Sequence, residues 1–275
     1  MTPRMAAAPA EVIRSRQNGR LKDLRRRLLR PNGAEDGLIP VEGEHLIQEA
    51  MSSGLHIDTL FLREDRAVQG DRLTSGNPLT FVVAANAFNH ACATESPQGV
   101  AALIKAPKWS LDALLQVANP VLLVLAALQD PGNVGTIIRS AEAFGVTGIL
   151  LTPGMVHPWN QKVLRASAGS SFRLPVIPLQ EDASLEQLRT KGIPLYAASA
   201  QAKVSVVDAT LKPPVAFVIG NEGAGISKDI LAYCSSAIHI PYSGPVESLN
   251  AAVAASILLY EVSRQFVRAV ARSGI

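Results

Sequence analysis

Three short segments of this 275-residue chain concentrate polar side chains able to do chemistry, and each is a glycine-bearing stretch that follows an apolar run. The first, L-Q-D-P-G-N-V-G-T-I-I-R-S-A-E-A-F-G, carries Asn133 and Arg139. The second, G-N-E-G-A-G-I-S, carries Asn221 and Glu222. The third, I-P-Y-S-G-P-V-E-S-L-N-A-A-V, carries Ser248 and Asn250. Glycine turns with so few charges suit a small molecule gripped mainly by backbone groups. Arg139 has two readings. Its planar fork fits a phosphate, and it could equally pair on a helix surface with Glu142, which is the simpler expectation for an isolated arginine. Ser248 and Asn250 could act on a ligand or simply cap the helix that follows them.

Other chemistries are excluded by what is missing. No G-x-G-x-x-G follows the apolar run Val121–Ala127, the glycines at 220, 223 and 225 have the reverse spacing, and no G-K-[ST] phosphate loop occurs. His45, His56, His90 and His157 stand away from the glycine turns, and His239 reads as a strand residue, so no Ser-His-Asp or Cys-His set forms. Cys92 and Cys234 are far apart and offer neither a disulfide framework nor a zinc pattern, so no metal is expected. The longest apolar run, Val121–Leu128, is far short of a membrane span. The N-terminus has no apolar signal region, which makes a cytoplasmic protein the default. Net charge is only +3, yet eight basic residues lie between Arg14 and Arg30 against one acid, Asp23. Such a run attracts phosphates or forms a solvated helix face, and the pattern alone does not choose.

The elements that must position these residues alternate strand and helix. Residues 1–10 are expected to be disordered and residues 11–108 to form a small α/β domain. Within it a helix over Asn18–Leu29 places Leu21, Leu24 and Leu28 on one face. Strands are expected near Gly37–Val41, Ile57–Leu62, Phe81–Ala84 and Gly99–Ile104, with a helix that stops at Gly54. Residues 109–119 read as a linker, and residues 120–275 as a second α/β domain. There Val121–Ala127 is a strand buried on both faces, Asp130–Asn133 a tight turn, and Val134–Phe144 a helix ending at Gly145. A helix near Trp159–Ala168 exposes Lys162 and Arg165. Val215–Ile219 delivers the second glycine segment to its carboxyl end, where open α/β sheets bind ligands. The last helix starts near Ser248 and is apolar almost all round, so burial is expected over most of its surface.

Taken together, N-V-G-T-I-I-R-S-A-E-A-F-G (133–145), F-V-I-G-N-E-G-A-G-I-S (217–227) and I-P-Y-S-G-P-V-E-S-L-N-A-A-V-A-A-S-I-L-L-Y-E (240–261) resemble the SpoU family of SPOUT RNA methyltransferases. The resemblance spans about Pro120 to Arg268. V-E-G-E-H-L-I-Q-E-A and P-Q-G-V-A-A-L-I in the first domain are similar to the family's L30e-like substrate-binding domain. It implies a trefoil-knotted parallel-sheet domain, S-adenosylmethionine as methyl donor, and an RNA ribose 2′-hydroxyl as acceptor. It also implies a homodimer. Carried over by position, Arg139, Asn133, Glu222, Ser248 and Asn250 would be catalytic. Ile219, Gly220, Asn221, Gly223, Ile240, Ser248 and Leu249 would hold the cofactor. Arg14, Arg16, Arg20, Lys22, Arg25, Arg139 and Arg165 are the expected RNA contacts. The separate first domain favours 23S-type rRNA over tRNA. A non-catalytic RNA-binding or ribosome-assembly factor of the same fold is the rival of another class.

Overall fold

The computed structural model describes residues 12–31, 36–66, 73, 76–179, 181–221 and 223–273. They fall into two compact units. One runs through Pro107 and includes Trp159–Leu164; the other comprises Lys108–Pro158 and the chain from Arg165 onward. The disorder expected for residues 1–10 concerns positions outside the described residues.

In the first unit, α1 (Gly19–Leu29) begins where the Asn18 side chain accepts the backbone N–H of Arg20. That satisfies one of the donors a helix start leaves unpaired. Leu21, Leu24 and Leu28 are buried, and they share a cluster with Phe61, Ala87 and Phe88. Four strands, β1 (Leu38–Glu42), β2 (Ile57–Arg63), β3 (Leu79–Val83) and β4 (Val100–Lys105), form a sheet in the order β1-β4-β2-β3. β4 runs antiparallel to both its neighbours, and β2 pairs with β3 in parallel. α2 (Glu44–Ser52) and α3 (Ala85–Ala91) pack beside it. The sequence reading had no element at α3, whose seven residues are too few to show a period.

The two segments V-E-G-E and P-Q-G meet in this unit. The buried Glu42 carboxylate accepts the Ala93 backbone N–H at 2.9 Å and the Thr94 hydroxyl. Gly43 takes φ 102° and donates its N–H to the Val100 carbonyl at 3.0 Å, while Gln98 Oε1 accepts from Glu44 N at 3.2 Å. Gln161 closes the same region from far along the chain. Its Nε2 donates to the Pro40 carbonyl at 2.8 Å and its Oε1 accepts from Glu42 N at 3.2 Å. A buried amide satisfied at both ends explains why residues 159–164 belong to this unit.

The second unit is built on seven parallel strands, β5 (Val121–Leu125), β6 (Gly148–Leu151), β7 (Val176–Pro178), β8 (Leu195–Ala198), β9 (Val204–Ser205), β10 (Val215–Ile219) and β11 (Ser236–His239). Their order is β7-β6-β5-β10-β8-β11-β9. β5, β6 and β10 are buried along their whole length, as strands covered on both faces must be. The stretch 109–119, read as a linker, contains α4 (Leu111–Leu114). Leu114 and Leu115 are buried with Leu122, Val124, Ala216 and Val218 in one core cluster.

The remaining helices are α5 (Pro131–Ala143), α6 (Gln161–Ser167), α7 (Glu181–Thr190), α8 (Lys228–Leu231) and α9 (Ala251–Ser273). α9 packs on α5, with a Ser256–Ser140 hydroxyl bond at 2.8 Å and Phe144 edge-on to Tyr260 at 5.9 Å. Two expectations for α9 are corrected. It begins at Ala251 rather than near Ser248, because the Asn250 side chain accepts from the N–H groups of Ala252 and Val253 and closes the helix there. Nor is it buried all round over residues 251–266. Val253, Ile257 and Tyr260 remain 47%, 36% and 55% exposed, a stripe at helical spacing that one chain leaves uncovered. Among the described residues no helix is long and apolar enough to cross a membrane, and no group of three or more His, Cys, Asp or Glu is placed to hold a metal.

One member of the basic run has become structural. Arg27, with 16% of its side chain exposed, bonds both Asp23 and Asp36. The Asp36 carboxyl is held below its ordinary range by Arg27. Burial pushes Asp23 up, but bonds from Arg27 and Arg26 bring it below the ordinary range on balance. Both carboxyls therefore titrate lower folded than unfolded. The stability they add is present above the unfolded value of about 4 and is lost as pH falls through the folded value. Arg27→Met is expected to lower stability at neutral pH by up to about 1 kcal/mol, since the carboxylates are partly solvated. It should also flatten the loss of stability on acidification, as followed by urea midpoints across the acid range.

Candidate active site

Parallel pairing of β5 with β10, β10 with β8, and β8 with β11 puts four carboxyl ends along one edge of the sheet. The three glycine segments leave from β5, β10 and β11 at that edge. In the first, Asp130 is an N-cap whose side chain accepts Asn133 N–H at 2.8 Å, and Pro131 occupies the opening helical position. Pro131–Asn133 is thus the first turn of α5, not the separate tight turn expected. Asn133 stands at the mouth of the helix and Arg139 lies nearly two turns further along.

Side chains tie the segments together. Asn250 Nδ2 donates to Asn133 Oδ1 at 3.0 Å, joining the third segment to the first. Asn221 Nδ2 donates to the Ala127 carbonyl at 3.1 Å, joining the second to the first. Asn221 Oδ1 accepts from Gly223 N and Ala224 N at 2.8 and 3.0 Å, and its backbone exchanges two hydrogen bonds with Gly225. This fold-back needs glycine at 220. A Cβ there would lie 2.6 Å from Ile226 Cγ1 and 2.7 Å from the Gly225 carbonyl.

Between the loops lies a cleft of about 450 Å³. Ile219, Gly220, Asn221, Gly223, Ile240, Ser248 and Leu249, the residues expected to hold a cofactor, all line it. Sequence reasoning missed the 198–201 stretch at the end of β8 and Tyr242, and gave Glu247 at the mouth of the last helix no role in the site; all of them line it as well. The carboxyl-end rule applied to β8 would have found the 198–201 stretch, had the sequence revealed that β8 sits between β10 and β11. The lining includes no lysine, arginine or histidine, and Glu247 is its one carboxylate among the described residues. Asn133 and Asn250 line a second, more open groove with Thr136, Val253, Ile257 and Tyr260.

Of the five expected catalytic residues, Asn133 and Asn250 are directly bonded and Ser248 stands in the cleft wall. Arg139 is exposed and makes no hydrogen bond or ion pair to another described residue. Glu222 lies outside the described residues. The surface-pair reading of Arg139 is overturned: Glu142 is bonded bidentately by Arg173, at 2.6 and 3.0 Å, which holds the carboxyl below its ordinary range. The expected RNA contacts divide by unit. Arg14, Arg16, Arg20, Lys22 and Arg25 belong to the first, Arg139 and Arg165 to the second. Arg14, Lys22 and Arg165 are exposed. Arg16 bonds Asn86, Arg20 stacks 4.4 Å above the Phe81 ring and Arg25 bonds the His90 carbonyl. Burial pushes the Cys92 thiol up and raises Cys234 to about 11, so neither offers a thiolate at neutral pH.

Residues 120–260 match the SpoU rRNA Methylase family, and residues 18–102 match an MRM3-like substrate binding domain. The chain belongs to the SpoU methylase family. Among SpoU relatives, an uncharacterized tRNA/rRNA methyltransferase (slr1673) of Synechocystis sp. is 36% identical, the match covering 92% of this chain and 93% of that one. The 23S rRNA (guanosine(2553)-2′-O)-methyltransferase RlmP of Bacillus subtilis is 31% identical over 91% of this chain and 98% of its own. The crystal structure of the SpoU methyltransferase AviRb from Streptomyces viridochromogenes in complex with the cofactor AdoMet aligns with a TM-score of 0.80. It is 29% identical and covers 90% of this chain and 98% of AviRb.

The close approach at Gly220 gives a direct check of the SpoU loop geometry. Gly220→Ala is expected to displace residues 223–226 and cost about 1–3 kcal/mol as overpacking. Faster hydrogen exchange at the mutually bonded Asn221 and Gly225 amides would report it. Gly244→Ala, where a Cβ meets nothing within 4 Å, should leave those amides unchanged.

Proposed function

We propose that this chain transfers the methyl group of S-adenosylmethionine to a ribose 2′-hydroxyl of RNA, with 23S-type rRNA as the substrate. The observation that carries the reading is the Asn250–Asn133 bond at the mouth of α5, the helix that also carries an Arg139 whose guanidinium is unspent on any described residue.

The cleft fits the cofactor on its chemistry. Its volume lies in the ordinary range for small-molecule sites. Apolar side chains such as Ile219, Ile238, Ile240 and Leu249 offer walls for a flat adenine, and the 220–225 loop offers backbone groups. The absence of lysine, arginine and histidine from the described lining spares a sulfonium from like-charge repulsion. When bound, S-adenosylmethionine supplies an electrophilic methyl group on positive sulfur. Everything else is the protein's task. Asn250 fixes the Asn133 amide at the α5 mouth, and Asn133 in turn orients the ribose hydroxyl. Arg139 grips the neighbouring phosphate and stabilises negative charge on the 2′-oxygen as its proton leaves to water. A guanidinium is a poor proton acceptor, so Arg139 works by charge and geometry. Orientation of this kind lowers the barrier by several kcal/mol, about 7–11 in the best intramolecular cases.

Three further parts belong to the same reading. The first unit recruits the RNA through Arg14, Lys22 and their neighbours, supported by its match to a substrate-binding domain. The chain works as a homodimer through the stripe Val253, Ile257 and Tyr260, supported by the exposure of three large apolar side chains in one row. The carboxyl-terminal part of the second unit is knotted. What supports this is that the 240–250 segment lines the same cleft as the 220–226 loop while α9 returns to α5. A cytoplasmic location goes with a ribosomal substrate.

Tritium transfer from labelled S-adenosylmethionine to unmodified 23S, 16S and tRNA fractions tests the reaction. Label is expected in the 23S fraction and should fall at least about a hundredfold in Arg139→Ala, as when an oxyanion-stabilising donor is removed. Arg139→Lys should recover little of it; near-wild-type transfer would sink the argument from the planar fork. Label in tRNA alone would keep the enzyme and overturn its substrate. Ile257→Asp is expected to shift sedimentation from dimer to monomer, and an unchanged sedimentation coefficient would refute the stripe as the interface.

A further inference from the structure

We infer that Arg173 is a positioning residue whose task is to hold Glu142 away from Arg139. The inference rests on the reading of Arg139 given above and extends it to a residue outside the three glycine segments. α5 carries one cation, Arg139, and one carboxylate, Glu142, three positions apart. That spacing makes them neighbours on a helix surface and would ordinarily bring them into a salt bridge. A guanidinium so occupied is a weaker site for RNA phosphate. In the structure the carboxylate is turned the other way: Arg173 Nε donates to Glu142 Oε1 at 2.6 Å and Arg173 Nη2 to Oε2 at 3.0 Å.

The holder is built into the fold. Arg173 follows the short 3-10 turn Ser170–Phe172, which packs on α5. Gly169 starts that turn in the left-handed region at φ 87°. Fully buried Ser171 bonds the hydroxyl of fully buried Ser167 at 2.8 Å, and the Arg173 backbone N–H donates to the Ser170 carbonyl at 3.1 Å. Ser170 adds a side-chain hydrogen bond to the same carboxylate. A rigid turn thus presents a bidentate fork, the geometry that best competes for a carboxylate. The neighbouring Arg139 is left exposed and without a bond to any described residue.

The test uses the full chain in four variants, Arg173→Met, Glu142→Gln, the double variant and Arg139→Ala, with 23S rRNA transcribed in vitro as the probe. Arg173→Met is expected to lower kcat/KM for RNA about two- to fivefold, the scale of one exposed helical ion pair plus repulsion of the phosphate. The KM for S-adenosylmethionine should not move. Adding Glu142→Gln to Arg173→Met should restore the rate, because a neutral amide does not compete for Arg139. Failure of that rescue would make Arg173 an RNA contact or a merely structural residue and overturn the inference. So would an unchanged rate in Arg173→Met while Arg139→Ala is inactive. If Arg139→Ala keeps its activity, the reading of Arg139 fails instead. A crystal structure of Arg173→Met decides the point without any RNA: Glu142 is expected within 4 Å of the Arg139 guanidinium, and a carboxylate still turned away would refute the inference.

Discussion

The in-register parallel pairing of β5 with β10 is the constraint on which the rest of the second unit depends. Leu125 stands opposite Ile219, and one residue further Ala126 N–H donates to the Ile219 carbonyl at 2.9 Å. From there the two chains part, one into the mouth of α5 and one into the folded-back loop 220–226. Asn221 bridges them through the Ala127 carbonyl. A slip of one residue in this pair would reverse every side chain across the sheet. It would also separate Asn221 from its acceptor, and with it the wall of the cleft from the helix that carries Asn133 and Arg139.

Charge is distributed around that edge with little redundancy. The cleft carries one described carboxylate and no lysine, arginine or histidine, while the arginine that meets RNA in the proposed reaction stands outside it on α5. A cationic cofactor and an anionic substrate need opposite surroundings, and keeping that arginine out of the cleft lining meets both needs. The hydrogen bond from Asn250 to Asn133 then couples the two regions, since Asn250 also caps α9, whose next residue, Ala251, lines the cleft. Two amides and a helix start are fixed by one side chain.

In the first unit the basic run resolves into members with different work. Arg27 is bound between two aspartates, so its charge is largely spent within the fold, while Arg26 shares one of them and stays 71% exposed. Arg20 holds its guanidinium over the Phe81 ring and presents an aromatic-backed cation. Arg14 and Lys22 remain exposed. A count of charges thus overstates the field available to a polyanion, because intramolecular carboxylates compete for the same guanidinium groups.

The sequence by itself marked many of the elements and singled out the candidate residues. Apolar runs gave β5 and β10, leucine spacing gave α1, and three ordered segments named Asn133, Arg139, Asn221, Ser248 and Asn250, because period and local composition are short-range signals. Tertiary structure alone decided the partners. It gave Glu142 to Arg173 rather than to Arg139, brought Gln161 to Pro40 and Glu42, and put the 198–201 stretch into the cleft wall. It also started α9 at Ala251 and left Val253, Ile257 and Tyr260 uncovered. Which strand lies beside which, and which of two arginines reaches a carboxylate first, depend on contacts between residues far apart in the chain, and no local pattern encodes them.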